Sequence, residues 1–232
     1  MEFENFSIAI DNKKLIKDFN GHFANGETTV IVGPNGCGKS TFAHGVMGRN
    51  DITVDGKLLL NDKNILELET DERAQAGIFV SWQTPPEISG VTSFGLIRDV
   101  KKINGKQMAQ ELKSFKGLLN DVDLPSDWYN RQVNVGGSGG ERKRAEMVNL
   151  MSIDPRIAIL DEIDTGLDTN GLKLVSSIVN KRRSEGKINL VITHNKNLLD
   201  HLEFDNGYIF RSGTLLRVSP EEIKDTLTHG YK

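Results

Sequence analysis

The chain has 232 residues, a formal net charge of −3 and a single cysteine. That length holds one large domain, or one domain with a lobe, and folding should bury roughly three quarters of the unfolded surface. The charge balance excludes a broad positive field for nucleic acid, the lone Cys37 excludes an internal disulfide and fits a reducing cytosol, and no apolar run approaches the length of a membrane span.

The N-terminal residues, with Glu2, Glu4 and Asp11 and no apolar stretch, do not read as a signal peptide. A cytoplasmic protein is expected, without nucleic acid and without direct membrane insertion. Phe6–Ile10 alternates like a half-buried strand; Asp11–Lys14 reads as a turn, with a second strand near Leu15–Phe19. Thr28–Val32, short, apolar and β-branched, reads as a buried strand, and a helix follows the glycine-rich GPNGCGKST to about Met47. Ile52–Leu60 alternates around Asp55–Gly56, the signal of a hairpin. Asp71–Ala76 predicts a short helix and Gly77–Trp82 a strand. From Val91 to about Val133 helices are expected at Ser93–Ile103 and Gln107–Leu119, with no strand. GSGGERKRAEMVNLM opens another helix. Strand Arg156–Leu160, helix Gly171–Glu185, strand Ile188–Thr193 and a short helix follow, and Tyr208–Arg217 reads as a hairpin turning at Ser212–Gly213. The expected fold is an α/β core of residues 1–87 and 139–232 with an antiparallel N-terminal portion, interrupted by a helical insert at about 88–138.

Gly33-Pro34-Asn35-Gly36-Cys37-Gly38-Lys39-Ser40 fits the P-loop pattern G-x-x-x-x-G-K-[ST] and lies between a predicted strand and a predicted helix. The glycines let successive backbone N–H groups curl around a phosphate, and the helix start adds partial positive charge. Lys39 is placed to reach the β- and γ-phosphates, the Ser40 hydroxyl to hold Mg²⁺, and Thr41 completes the loop. An accidental glycine turn is the plain alternative. RIAILDE puts Asp161 and Glu162 at the end of an apolar strand, where the first acid can hold Mg²⁺ and the second can take a proton from water. Ser138-Gly139-Gly140-Glu141 makes a second anion-seeking helix tip. One nucleotide needs one phosphate cradle from its own chain, so a second cradle suggests service to another subunit.

These motifs together resemble the ABC ATPase family. SGGE matches the family signature LSGGQ, ILDE its Walker B strand, TGLD (Thr165–Asp168) its D-loop, and His194 after LVIT its switch histidine. The resemblance implies an ATP-dependent homodimer that sandwiches two ATPs between the phosphate loop of one copy and Ser138, Gly139, Gly140 and Asp168 of the other. It implies that Lys39, Glu162 and His194 serve catalysis, His194 at the γ-phosphate. It implies that Gln83, ending the strand before the lobe, touches Mg²⁺ beside Ser40 and Asp161 and forms the joint to that lobe. Within the family, DERAQAGIFVSWQTPPEISGV, VNVGGSGGERKR, LDEIDTGLD and THNKNLLDHL are similar to the SufC branch, the ATPases of SUF iron–sulfur cluster assembly. That branch implies a SufB/SufD-like scaffold as partner, docked at Gln83–Ser93 through Ile88 and Val91. The alternative is the ATPase subunit of a membrane ABC transporter. Three departures stand out: Gly137 replaces the aromatic or leucine before the signature, which implies a looser loop; no adenine-stacking aromatic stands near Ile10; and the insert is somewhat short. Cys37, at a helix start, is placed for a lowered thiol pKa.

Overall fold

The computed structural model, which describes residues 1–11 and 13–231, is built around a six-stranded sheet. Its strands in spatial order are β12 (Thr214–Val218), β11 (Asn206–Arg211), β3 (Thr28–Val32), β10 (Ile188–Ile192), β9 (Ile157–Asp161) and β6 (Ile78–Ser81). All neighbours pair in parallel except β11–β12. Strands β3, β9 and β10 are buried at every position, which is why they read as predominantly apolar runs. Alternation divides their side chains between two cores. Val30 and Val32 face one cluster with α5 (Gly139–Ile153) and α6 (Thr169–Ser184), while Ile31 faces the other with Phe42.

The second core lies under an antiparallel sheet, ordered β2 (Lys13–His22), β1 (Glu2–Ile10), β4 (Thr53–Leu60), β5 (Lys63–Asn64). Phe3, Phe6, Phe19, Phe23, Phe42 and Tyr208 pack there, ring centroids 5.0 to 6.3 Å apart, and tie the two sheets to helix α1 (Lys39–Met47). The expected turn at Asp11–Lys14 is shorter than read: Lys13 and Lys14 already pair with β1, and Asn12 lies outside the described residues.

Two expectations are overturned here. Asp55–Gly56 is not a hairpin turn; β4 runs straight through it. Gly56 instead sits at a register shift against β1, where any Cβ would run into the Asn5 carbonyl oxygen. The reversal comes at Asn61–Asp62, both in the left-handed region. The insert also contains a strand pair: β7 (Ile88–Thr92) and β8 (Gln132–Val133) are antiparallel, with Ile88 opposite Val133. Between them lie α3 (Ser93–Val100), α4 (Met108–Asp121) and a 3₁₀ turn at Ser126–Asn130. Helix α2 (Thr70–Gln75) precedes β6, α7 (Lys196–Leu199) follows β10, and α8 (Pro220–His229) closes the chain, started by a Ser219 cap that the strand-and-turn reading passed over.

Candidate active site

Parallel β3, β6, β9 and β10 all end on one edge of the sheet, so whatever follows them is brought together. After β3 comes the phosphate loop, after β6 Gln83, after β9 Glu162, and after β10 His194. A cavity of about 370 Å³ opens there, lined by Asn35, Gly36, Gly38 to Thr41, Gln83, Glu162 and His194. A larger cavity of about 700 Å³ lies at the opposite ends of β6 and β9, walled by Phe79, Val100 and Ile153 together with Lys101, Lys102 and Arg156, and away from the phosphate loop.

The loop has the backbone that its glycines were placed to allow: Gly36 and Gly38 have φ of 75° and 113°. Gly33 cannot carry a side chain, since a Cβ would stand 2.7 Å from Phe210. Lys39 is 5% exposed and donates from Nζ to the carbonyls of Gly33 (2.8 Å) and Pro34 (3.1 Å). Asn35 and Gly36 are exposed; Cys37 is half-buried behind them. Burial pushes the Cys37 thiol above its ordinary pKa and outweighs the nearby Lys39 charge, which overturns the expected lowering.

Asp161 is fully buried, and neither carboxylate oxygen has a hydrogen-bond partner of good geometry. Burial raises its pKa, and the Ser40 hydroxyl is the largest of the groups that counteract it, ahead of the Lys143 and Lys39 charges. A buried carboxylate without a donor, facing a hydroxyl, is the donor set of a hard divalent cation, so the residues present fit Mg²⁺. Next along the chain, Glu162 is held at φ 48°, with its N–H bonded to the Ile192 carbonyl at 3.0 Å. A non-glycine residue in that region is strained, and the strain turns this side chain out of the strand end. Its carboxylate accepts from Gln83 Nε2 at 2.6 Å and stands 3.4 Å from His194 Nδ1. Gln83, Glu162 and His194 are thus gathered from three separate strand ends.

The signature residues are elsewhere. Ser138 caps α5 and forms a capping box with Glu141: its hydroxyl accepts from the Glu141 N–H at 3.3 Å, and Glu141 Oε2 accepts from the Ser138 N–H at 2.9 Å. Ser138, Gly139 and Gly140 do not line the phosphate-loop cavity. Neither does Asp168, which caps α6 by accepting from the Gly171 N–H at 2.8 Å. Gly137 is close-fitted, not loose: a Cβ there would meet the Trp128 ring at 2.9 Å.

Several neighbours had no sequence signal of their own. Leu15, not Ile10, is the apolar residue lining the cavity beside the loop. The Tyr231 hydroxyl accepts from the Gly33 N–H at 3.1 Å. Asp164 is 2% exposed and accepts from Thr193 Oγ1 at 3.0 Å, tying the end of β9 to that of β10, and burial raises its pKa. Buried Lys143 and Glu146 stand on α5 beside Trp82; burial lowers the first pKa and pushes the second up to about 7.

A family model described as ABC transporter matches residues 16–165. "Vegetative protein 296" of Bacillus subtilis is 38% identical, over the whole chain and 91% of that protein. A "probable ABC transporter ATP-binding protein" of Streptococcus pyogenes serotype M3 is 36% identical over 93% of this chain and 87% of its own. The "probable ATP-dependent transporter ycf16" of Cyanophora paradoxa is also 36% identical, over the whole chain and 93% of its own. Among solved structures, a nucleotide-free ATP-binding cassette from an ABC transporter superposes with a TM-score of 0.77 at 22% identity, covering 98% of this chain and 95% of that one. A dimeric bacterial ABC transporter cassette gives 0.79 at 18%, covering 94% and 98%.

Proposed function

The chain belongs to the ABC transporter ATPase family, whose P-loop fold binds and hydrolyses ATP with Mg²⁺, and from that premise we propose that it is the ATPase subunit of a larger cytoplasmic assembly, working as an ATP-dependent homodimer. The observation that carries the proposal is the meeting of the phosphate loop, Gln83, Glu162 and His194 around one cavity. In this reading Gly33–Thr41 bind the phosphates through backbone N–H groups, and Lys39 leaves its loop carbonyls for the β- and γ-phosphate oxygens. Ser40 and Asp161 would hold Mg²⁺, which supplies charge neutralisation between the phosphates. Gln83 spends its amide N–H on Glu162, leaving its side-chain oxygen for the cation or the attacking water. Glu162 takes the proton of that water. His194 holds the γ-phosphate, and Ser138, Gly139, Gly140 and Asp168 serve the ATP of the second copy. Residues 88–138 form the lobe that moves against the core of residues 1–87 and 139–232. Glu162→Gln should still bind ATP yet lose turnover by about 10²–10⁴-fold. Turnover near wild type would remove Glu162 as the base.

Two observations point to different partners. The two SufC-like phrases around PPEISGV and VNVGGSGG build one unit, since β7 pairs with β8 and Asn134 Nδ2 donates to the Pro86 carbonyl at 2.9 Å. Ile88 and Val135 are two of the few large apolar side chains left exposed among the described residues, and both border this unit. That supports docking of a SufB/SufD-like scaffold there, for iron–sulfur cluster assembly. The names of the relatives favour the second reading, the ATPase subunit of a membrane ABC transporter. Purification from the native host separates the two. A soluble scaffold carrying iron and sulfide supports the first, and an integral membrane protein supports the second. Ile88→Asp with Val135→Asp should abolish either co-purification while the melting temperature holds.

A further inference from the structure

Trp82 and Gln83 lie just beyond the last residue of β6, so their carbonyls have no ladder partners. Lys143 supplies them. Its Nζ donates to the Trp82 carbonyl at 3.1 Å and to the Gln83 carbonyl at 2.8 Å, and the side chain is almost wholly buried. Glu146, one turn further along the same face of α5, faces the Trp82 backbone N–H and the Asn149 side chain. From the other side the Trp82 ring lies against His44 of α1, centroids 4.7 Å apart and planes tilted by 35°. The peptide that carries Gln83 is therefore gripped between the helix that starts at the phosphate loop and the helix that starts at Ser138.

Burying a lysine and a glutamate costs more than an apolar pair would, so packing alone does not explain them. What they do hold is the Trp82–Gln83 backbone, and the Gln83 side chain donates to the Glu162 carboxylate. We propose that Lys143 and Glu146 are positioning residues, a clamp by which any movement of helix α5 sets the place of Gln83 against Glu162. The inference rests on the reading of Gln83 as part of the hydrolytic site. It adds that α5 controls this group through its buried polar face, not only through its exposed tip.

The test is a double-mutant cycle on the full chain, with turnover, ATP affinity by calorimetry and melting temperature measured for each variant. Lys143→Met keeps the length of the side chain and removes the donor. It should lower kcat by roughly ten- to a hundredfold, the range expected when a reacting group is misplaced by about an ångström. ATP affinity should stay within about twofold, since Lys143 does not line the phosphate-loop cavity. In a Gln83→Ala background the same substitution should cost nothing further. Glu146→Gln keeps an acceptor for the Trp82 N–H and should give a smaller kcat loss, again silent beside Gln83→Ala. It carries the test if Lys143→Met does not fold. Losses of equal size in both backgrounds overturn the clamp, because a merely structural lysine acts independently of Gln83. If Gln83→Ala lowers turnover while both α5 variants leave it unchanged, the clamp alone is overturned. If Gln83→Ala turns over at the wild-type rate, the reading of Gln83 falls, and the clamp with it.

Discussion

Glu146 shows how one buried side chain sets a measurable property of the whole protein. Burial is the main cause that pushes its pKa from the ordinary glutamate value of 4.5 up to about 7, with Lys143, Asn149 and the Trp82 N–H opposing. The native state therefore keeps a proton that the unfolded chain has already released between those two values. Stability contributed by that proton is complete below about pH 4.5, falls as pH rises, and is gone above about pH 7, a loss of up to about 3 kcal/mol. Asp161 and Asp164 are raised by burial too, so they bend the curve in the same direction. Glu146→Gln removes only its own part. The stability of Glu146→Gln relative to wild type should thus grow between about pH 5 and pH 7.5, followed as the difference in urea midpoints. A difference that does not change with pH would refute the burial of a titrating group there. Gly137 makes the complementary point at the same scale. The sequence shows only that a large residue is missing before SGGE, and reads as slack; in the fold the Trp128 ring occupies that space.

At the scale of elements, α2 is a short helix whose main work is done by one arginine. Arg73 is 4% exposed and donates to Gly45 O (3.2 Å), Val46 O (2.9 Å), Leu66 O (2.8 Å) and Leu68 O (2.9 Å). Two of those carbonyls belong to the last turn of α1, where the Gly45 carbonyl also accepts from the Gly48 N–H at 3.1 Å and the Val46 carbonyl depends on the arginine. The arginine of DERA thus closes the C-terminal end of the helix that begins at the phosphate loop. Arg73→Met would leave the Val46, Leu66 and Leu68 carbonyls without this donor, and should cost about 3 kcal/mol or more by chemical denaturation. A loss below about 1 kcal/mol would contradict this role. Such a contact explains what sequence reading can and cannot reach. Strands β3, β9 and β10 were legible because burial on both faces writes an apolar run, and the loop motifs because their chemistry is consecutive. The task of Arg73 was not, since its partners lie in other elements and leave no periodic mark. Gly56 misled for a related reason: Asp-Gly is a turn signal only if the partner strand does not need the glycine, and here Asn5 does. Strands β7 and β8 were missed because β8, at two residues, is too short to show alternation. The site's acids, Gln83 and His194 were found from motifs, but the clamp on α5 required knowing that β6 ends against that helix.

For the molecule as a whole, the decisive fact is a separation. One cavity holds the phosphate loop, Gln83, Glu162 and His194, and the second anion-seeking tip, Ser138 to Gly140, is not in it. If the tip serves a nucleotide, that nucleotide is held by another copy, related by a two-fold axis so that each copy gives and receives the same surface. This can be tested without a partner protein. Lys39→Ala disables the phosphate loop. Gly139→Asp disables the tip by setting a negative charge where the neighbour's γ-phosphate would lie. The substitution should fold, because a Cβ at Gly139 meets nothing within 4 Å, and an acid in the first helical turn is favourable. Each variant alone should be inactive. Mixed in equal amounts, half of the dimers pair one of each, and each of those contains one site with an intact loop and an intact tip. About a quarter of wild-type ATPase activity should return on mixing if sites act independently. A mixture no more active than its two parents would mean that loop and tip do not meet across two copies, and the homodimer reading would have to be abandoned.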